Sequence, residues 1–210
     1  MKILTMKFGG TSVADIDRIR AVRDIISNEI RDGWNVVAVV SAMSKETNKL
    51  IDLAKQVGVE NLVDPEYDSL ISTGEDVSSS LLAIALNSIE ISSRSWRGWQ
   101  LPIRTDSFHS KAKIEEINTN QIINSFKEGV KVAVVSGFQG IEQAGRITTL
   151  GRGGSDTSAV AIAAAIDAER CDIYTDVSGI YTTDPRIKRN ASKLKKISFE
   201  EMLEMASLGA

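Results

Sequence analysis

Four short apolar runs, rich in β-branched residues, constrain this chain most, because stretches with helical periodicity separate them. The runs are Ile3–Phe8, Val36–Val40, Val130–Ser136 and Arg170–Thr175. The continuous β-branched run Val36–Val40 is typical of a strand buried on both faces of a sheet. Strands that alternate with helices through short connections predict an α/β sandwich with a largely parallel sheet.

The intervening stretches have helical spacing. Apolar positions predict helices over Ile16–Ile30 and Lys45–Val57, and a break at Thr73-Gly74 separates two more. The stretch Asp156–Ala168 is so rich in Ala, Ile and Val that we expect it to be buried on nearly every side. The less periodic region Ile89–Lys113 is a candidate small lobe or excursion.

Composition excludes several classes of protein. The 210 residues carry 25 basic and 28 acidic side chains, so no polyanion-binding surface is indicated and no nucleic-acid partner is expected. No run approaches the roughly 18 apolar residues of a membrane span, and we expect a cytoplasmic protein without membrane contact. The single Cys171 is expected to be a small buried residue. With one cysteine and one histidine, the sequence offers no zinc site, and no metal-ligating residue is predicted.

Polar and glycine-rich segments follow the predicted strands. They come after Phe8, Val40, Leu150 and Tyr174. In open parallel sheets, ligands bind beyond the carboxyl ends of the strands. We therefore expect these four segments to converge on one crevice.

The segment Lys7–Ser12 has the composition of an anion site. Gly9 and Gly10 would let backbone amides approach an oxyanion, and Lys7 is a point charge suited to a phosphate. No GxxxxGK[ST] pattern exists in the chain, so this is not a P-loop. The alternative interpretation is a tight strand-to-helix turn with an exposed lysine.

The segment Leu150–Asp156 is more specific. Three glycines surround Arg152, whose guanidinium can clamp a carboxylate with two parallel hydrogen bonds. The helix that begins there offers free N–H groups to an anion. N-capping by Ser155 or Asp156 explains one residue, but it does not explain three glycines and an arginine.

Other candidates are weaker when taken singly. Glu75 could complement a helix dipole or hold a substrate ammonium, and Ser41 follows a buried strand where a ligand could approach. The segment Thr175–Arg186 reads either as ordinary turns or as contacts to ribose, base and phosphate. His109 has no triad partner, and we interpret it as structural or as part of the lobe surface.

In order and spacing, these motifs resemble those of the aspartate kinases, over essentially the whole chain. The run Ile147–Asp156 separates that resemblance from other enzymes of the amino-acid kinase fold. The matching segments are Lys7–Ser12, Ser41–Met43, Ser72–Glu75, Gly137–Gly140, Thr148–Asp156, Thr175–Arg186, Ile197–Met202 and Ser207–Ala210.

The resemblance implies a three-layer α/β/α sandwich with a mainly parallel central sheet, the carbamate kinase-like fold. It implies ATP-dependent phosphorylation of the side-chain carboxylate of L-aspartate to 4-phospho-L-aspartate, which opens lysine, threonine and methionine biosynthesis. ATP with Mg²⁺ is the implied cofactor, and we consider a homodimer possible. Residues 1–210 would form one catalytic domain, incomplete at its carboxyl-terminal end and without an ACT domain.

The same resemblance implies roles for individual residues. Lys7 would contact the ATP phosphates, and Asp156 would orient Lys7 and organise the phosphate–magnesium end. Aspartate would be held by Ser41, Glu75, Arg152 and Ser155. The implied nucleotide contacts are Lys7, Phe8, Gly9, Gly10, Thr175, Asp176, Tyr181, Thr182, Thr183, Asp184, Pro185 and Arg186.

Three alternatives remain open. Family members usually continue past Ala210 with a nucleotide-contacting lysine, so the chain is expected to be a fragment or a natural short form. A kinase for glutamate, acetylglutamate or UMP is the nearest rival, against which Arg152 and Glu75 argue. A non-catalytic binding subunit is the other alternative, and the retained Lys7 and Asp156 argue against it.

Overall fold

The computed structural model describes residues 1–58, 64–176, 179, 181–182, 188 and 190–198. The chain divides into two compact units, Met1–Thr175 and Asp176–Ala210. The strands of the first unit are β1 (Ile3–Phe8), β2 (Asn35–Val40), β3 (Ser93–Trp96), β4 (Ile103–Thr105), β5 (Ile114–Ile117), β6 (Val132–Ser136), β7 (Gln139–Ile141), β8 (Ile147–Thr149) and β9 (Arg170–Tyr174). Its helices are α1 (Ile16–Arg31), α2 (Glu46–Val57), α3 (Pro65–Ile71), α4 (Thr73–Asn87), α5 (Asn120–Lys127) and α6 (Gly154–Ala165).

Local sequence signals set several helix ends. Asp15 caps α1 by accepting a hydrogen bond from the Arg18 amide at 2.9 Å. Asp64 caps α3 in the same way, and Pro65 occupies the first turn, where its missing N–H leaves no bond unmade. At the other end of α2, Gly58 adopts a left-handed φ of 106°, which glycine takes without steric cost.

The central sheet has five parallel strands in the order β3-β6-β2-β1-β9. All four strands predicted from the sequence lie in it. β1 is an inner strand, and its Lys7 stands in register with Val39 of β2 and Ile173 of β9. Because every strand runs the same way, their carboxyl ends meet along one edge of the sheet.

Alternation along β1 assigns its side chains to two hydrophobic clusters. Leu4, Met6 and Phe8 pack with α1 and α4 on one face of the sheet. Ile3 packs on the opposite face with residues of α5 and α6, and by the same alternation Lys7 points to that face. Helices therefore cover both faces, which confirms the three-layer α/β/α sandwich.

A second, mostly antiparallel sheet was not predicted. Its order is β5-β4-β7-β8, and only the β4–β7 pair is parallel. Each of its strands has three or four residues, too few for a clear period-2 pattern. The region Ile89–Lys113 contributes β3 to the central sheet and β4 to this second sheet.

Two expectations about burial were wrong. The helix α6 buries one face only, through residues such as Ser158 and Ile162, while Val160 is 54% exposed. Its apolar composition reflects packing on the sheet from one side rather than enclosure. Cys171 is exposed, because β9 is an edge strand of the sheet as described and its outer side chains are only partly covered.

The second unit is described only in part. An antiparallel bridge joins Tyr181 to Lys193, and the Thr182 amide donates to the Ser192 carbonyl at 2.9 Å. Over the described ranges of the chain, no helix is long and apolar enough to cross a membrane.

Candidate active site

Loops that follow the central strands meet at the carboxyl edge of the sheet. The Gly9 amide donates to the Tyr174 carbonyl at 3.3 Å, and the Ser41 amide donates to the Phe8 carbonyl at 3.1 Å. On the other side of β2, the Gly137 amide donates to the Val40 carbonyl at 3.0 Å. These bonds confirm that the segments after Phe8 and Val40 converge beside the end of β9, and they add a loop after β6.

The charged centre of this edge is an ion pair between Lys7 and Asp156. Lys7 points to the face of β1 that α6 covers, and Asp156 lies in the first turn of that helix. The Lys7 Nζ is 2.6 Å from Asp156 Oδ1, and the lysine side chain is only 9% exposed. Asp156 Oδ1 is itself buried and has no hydrogen bond of normal geometry, so the contact is a close ion pair. The two residues predicted to be catalytic are therefore in contact.

Glycines keep the space beside this pair clear. A Cβ at Gly9 would lie 3.4 Å from Lys7 Nζ, and a Cβ at Gly10 would lie 3.0 Å from the Ala42 carbonyl oxygen. A side chain at Gly10 would crowd the loop after β2, and one at Gly9 would contact the lysine. The arrangement suits backbone amides that approach an anion closely.

Glu75 is a buried carboxylate with an unused oxygen. It is 4% exposed, and its Oε1 accepts a hydrogen bond from the Ala42 amide at 3.1 Å. Its Oε2 is buried and has no partner among the described residues. Burial raises the pKa of Glu75 to about 8, and nearby Asp76 adds to this, while the amides of Ala42 and Glu75 act in the opposite direction. A ligand cation placed at Oε2 would restore the charged form.

The position of Glu75 depends on a close helix contact and on a polar network. A Cβ at Gly74 would lie 2.8 Å from the Ala42 Cβ, so only glycine lets α4 approach this loop. The neighbouring Asp76 accepts hydrogen bonds from Ser136 Oγ at 2.9 Å and from Gln139 Nε2 at 3.1 Å. These bonds fix the start of α4 to the end of β6.

Arg152 stands on a loop that glycine geometry makes possible. Gly151 and Gly153 have left-handed φ values of 76° and 72°, which favour glycine. Arg152 is exposed, and its guanidinium makes no polar contact with the described residues. Ser155 is 8% exposed and packs against Gly137, where a Cβ would lie 2.9 Å from the serine Oγ. The guanidinium is thus available to a carboxylate at this edge.

Phe138 is a structural residue of the site to which sequence reasoning gave no role. It is a bulky residue with a left-handed φ of 68°, a conformation that costs on the order of 1–3 kcal/mol. Its amide donates to Ser158 Oγ at 3.1 Å, and its carbonyl accepts from the Leu150 amide at 2.9 Å. Its ring would lie 2.8 Å from a Cβ at Gly154, where α6 begins. The motif Gly137–Gly140, which contains Phe138, was the sequence feature that could have indicated this role.

Not every predicted residue is joined to this cluster. Glu75 and Arg152 make no direct contact, and the Ser41 side chain has no hydrogen bond with the described residues. Thr175 ends the first unit, while Asp176, Tyr181 and Thr182 belong to the second. The remaining predicted contacts lie outside the described residues, and they are Thr183, Asp184, Pro185 and Arg186.

Comparisons with known proteins agree with the fold and the motifs. Residues 2–210 match the model of the amino acid kinase family. An aspartate kinase of Stutzerimonas stutzeri is 53% identical over 210 residues, which cover 100% of this chain and 50% of that protein. The chain spans about half the length of the curated relatives it matches.

Solved structures give the same result. Aspartate kinase from Synechocystis matches with a TM-score of 0.82 at 45% identity, over 98% of this chain and 34% of that one. Aspartokinase III of E. coli in complex with aspartate and ADP matches with a TM-score of 0.85 at 30% identity, over 98% and 56%. The resemblance to aspartate kinases is thereby confirmed, and the chain belongs to the amino acid kinase family.

Proposed function

We propose that this chain transfers the γ-phosphoryl group of ATP to the side-chain carboxylate of L-aspartate, giving 4-phospho-L-aspartate. The observation that carries the proposal is Glu75. A carboxylate with a buried, unpartnered oxygen at the edge of a phosphate-binding sheet is suited to a ligand cation, and an amino acid brings one as its ammonium group. The similarity to aspartate kinases over the whole chain supports the same substrate.

The proposed aspartate site has complementary charges. Glu75 would bind the ammonium group, and Arg152 would clamp a carboxylate through its bidentate fork. Ser41 and Ser155 would complete the site with hydroxyl groups. Two rivals fit this arrangement poorly, since acetylglutamate has an acylated amine and UMP has none, so neither presents an ammonium to Glu75. Glutamate has the right charges and differs by one methylene.

The proposed nucleotide site begins at the Lys7–Asp156 pair. Lys7 and the backbone of Gly9-Gly10 would contact the phosphates, with Phe8 in the strand beneath them. The other nucleotide contacts proposed from the family resemblance are Thr175, Asp176, Tyr181, Thr182, Thr183, Asp184, Pro185 and Arg186.

The chemistry needs positioning rather than a base. An aspartate side chain has an ordinary pKa of about 3.9, so the acceptor is already an anion at neutral pH. The barrier comes from bringing two anions together and from charge on the transferred group. Lys7 is almost fully buried, where a positive charge acts more strongly than in water. Asp156 would hold the Lys7 ammonium in place through the ion pair.

The residues at this edge fit a Mg²⁺ ion carried by the nucleotide. Nucleotide-bound Mg²⁺ commonly takes one or two protein carboxylates in addition to phosphates and water. The half-exposed Asp156 side chain can supply one of them. Within the described part of the chain, no group of three or more metal-ligating side chains exists, which is compatible with an ion held mainly by phosphates. When bound, Mg²⁺ would neutralise phosphate charge.

Two broader proposals follow from the same reaction. We propose that the product enters lysine, threonine and methionine biosynthesis, since activation of the aspartate side chain is the step that the aspartate kinases supply. We also propose a homodimer, which light scattering of the purified chain would test.

The test is an aspartate-dependent ADP-release assay on the purified 210-residue chain, with hydroxylamine present to trap acyl phosphate. Aspartyl hydroxamate is the expected product, with little or none from glutamate, N-acetylglutamate or UMP. A folded chain that binds aspartate without turnover would reject the kinase proposal and favour a binding subunit. Faster turnover of another acceptor would reject aspartate as the substrate.

A further inference from the structure

Outside the site described above, the carboxylate of Asp68 accepts more hydrogen bonds than any other side chain among the described residues. Asp68 is fully buried in α3. Its oxygens accept from Thr149 Oγ1 and the Thr149 amide, both at 2.8 Å, and from His109 Nδ1 at 3.0 Å. They also accept from Ser110 Oγ at 3.1 Å and from the Ser110 amide at 2.9 Å. These residues are named here the Asp68 brace.

The brace joins three segments that are distant in sequence. Asp68 lies on α3, His109 and Ser110 lie on the loop before β5, and Thr149 ends β8. His109, interpreted from the sequence as structural or as lobe surface, has a side chain only 11% exposed. Its ring faces Asp68 rather than a nucleophile. The structural interpretation of His109 therefore agrees with its surroundings.

The brace lies between two residues of the proposed aspartate site. Thr149 is followed three residues later by Arg152, so it fixes the start of the Arg152 loop. On the other side, the Asp68 carbonyl accepts the Ser72 amide at 3.1 Å, at the junction from which α4 leads to Glu75. Asp68 is therefore one connection between the start of the Arg152 loop and the junction that leads to Glu75.

The backbone around the brace is held tightly. The Ala112 amide donates to the Thr149 carbonyl at 2.9 Å, and the Ser110 carbonyl oxygen would lie 3.0 Å from a Cβ at Gly151. Ser110 has a left-handed φ of 65°, which is uncommon for a residue with a side chain. The Asp68 carboxylate holds Ser110 in that conformation through both its amide and its hydroxyl.

A fold that needed only cohesion here would be served better by apolar side chains. Replacing buried charges by hydrophobic residues is often neutral or stabilising, because desolvation of the charge is costly. Hydrogen bonds are directional, so they fix the relative position of the segments they join more strictly than apolar contacts do. A fully satisfied buried carboxylate is suited to setting a distance.

We propose that Asp68, through Thr149 and the His109-Ser110 segment, is a positioning residue that fixes the Arg152 loop relative to Glu75 for binding of the acceptor amino acid. This inference rests on the proposed function. Loss of the brace should weaken aspartate binding while ATP binding at the Lys7 end changes little. A misplacement of about 1 Å can reduce activity by roughly a hundredfold, so a tenfold or larger rise in the aspartate KM is expected.

The first variant is Asp68→Asn, whose amide would face the donors of Thr149 and Ser110. We expect the KM for aspartate to rise at least about tenfold and the KM for ATP to stay within about threefold. Reversible partial unfolding would raise the KM for both substrates, because each binds only the folded fraction, so it cannot imitate a rise confined to aspartate. The matched control is Asp64→Asn, the same change on the same helix, where asparagine still caps the helix and both KM values should hold.

Milder variants test the brace if Asp68→Asn does not fold. Thr149→Val removes one donor at constant volume and should raise the aspartate KM, while Thr149→Ser restores it. His109→Asn keeps a donor near the Nδ1 position, and His109→Ala does not. Equal aspartate KM values within each pair would overturn the proposal.

Hydrogen exchange of the amides from Thr149 to Gly153 gives a readout that needs no turnover. We expect exchange there to accelerate at least about tenfold in Asp68→Asn and Thr149→Val, as local protection is lost. Faster exchange with an unchanged aspartate KM would reduce the brace to a structural role and overturn the proposal. If the parent chain made no hydroxamate, the proposed function would fail, and unchanged exchange would separately overturn the brace.

Discussion

The two edges of the central sheet are built in opposite ways. At the carboxyl edge, the loops after β1, β2 and β6 lie near Lys7, Asp156 and Glu75. Two buried oxygens there, Glu75 Oε2 and Asp156 Oδ1, have no hydrogen-bond partner within the described chain. At the amino edge, the corresponding segments bond to one another.

Trp34 organises the amino edge. The Lys2 ammonium lies 4.6 Å from the centroid of its ring, and the Arg170 guanidinium lies 5.5 Å from it. Arg170 also pairs with Glu29 at 3.2 Å and with Asp172 at 2.9 Å. Backbone bonds continue the pattern, with Asn35 donating to the Lys2 carbonyl and Lys131 to the Ser92 carbonyl. The ends of β1, β2, β6 and β9 are thereby tied together.

The two edges therefore contribute differently to stability: the amino edge stabilises the fold, and the carboxyl edge carries a destabilising feature. Unsatisfied buried polar groups destabilise a fold unless a ligand completes them. At the carboxyl edge, Glu75 Oε2 is such a group, and nearby glycines leave room for a ligand. At the amino edge, the charged side chains pair with one another and with Trp34. These contacts can hold the strands in register without taking part in ligand binding.

The largest expected effect is a difference in kcat between a variant at the carboxyl edge and a variant at the amino edge. Lys7→Ala should lower kcat at least about a hundredfold, the scale of losing one transition-state charge contact. Lys2→Ala removes a lysine from the same strand region at the amino edge and should leave kcat within about twofold. The hydroxamate assay measures both variants. Activity of Lys7→Ala within a few fold of the parent would remove Lys7 from its proposed role.

The second effect concerns stability against pH at the carboxyl edge. Burial raises the pKa of Glu75 from an ordinary 4.5 to about 8 in the folded chain, so the folded state keeps a proton that the unfolded state loses. The contribution of Glu75 to stability is therefore complete below its unfolded pKa, and it is lost as the pH rises towards the folded value.

Glu75→Gln removes this dependence. From about pH 5.5 to 7, the free energy of unfolding of the parent should fall by about 2 kcal/mol relative to the variant. Urea unfolding at each pH measures the difference. Parallel pH profiles for the two proteins would show that Glu75 is not held protonated by burial.

A third variant probes the acceptor end of the carboxyl edge. Arg152→Lys keeps the charge but loses the bidentate fork, so the KM for aspartate should rise about tenfold. The KM for ATP should change little, and Arg170→Lys at the amino edge is the matched control. An unchanged aspartate KM in Arg152→Lys would refute the clamp.

The smallest expected effect belongs to the amino edge. Trp34→Leu removes two cation–π contacts and should lower the free energy of unfolding by about 1 kcal/mol. Urea unfolding measures the loss, and kcat should remain within about twofold of the parent. A large fall in kcat would show that the two edges are coupled, and it would contradict the assignment of a purely structural role to the amino edge.

The central sheet could be predicted from the sequence because its signals are local. Runs such as Val36–Val40 are apolar and β-branched, and their alternation with helices indicates parallel pairing. The glycines around Arg152 and after Lys7 are also local signals, since few other residues adopt those conformations. The second sheet escaped prediction because its strands have only three or four residues, too few for a period-2 pattern.

The sequence by itself thus determined four of the five central strands, the layered α/β architecture and several residues of the carboxyl edge, among them Lys7, Asp156 and Glu75. Only the tertiary structure decided which of these residues meet. The contact of Lys7 with Asp156, the unpartnered oxygen of Glu75 and the five donors around Asp68 depend on atoms far apart in the chain. The exposure of the outer face of α6 was also decided by the tertiary structure. Composition shows that a helix is apolar, but it does not show which face packs against another element. Burial and electrostatic environment are properties of packing, and packing is set by the whole fold.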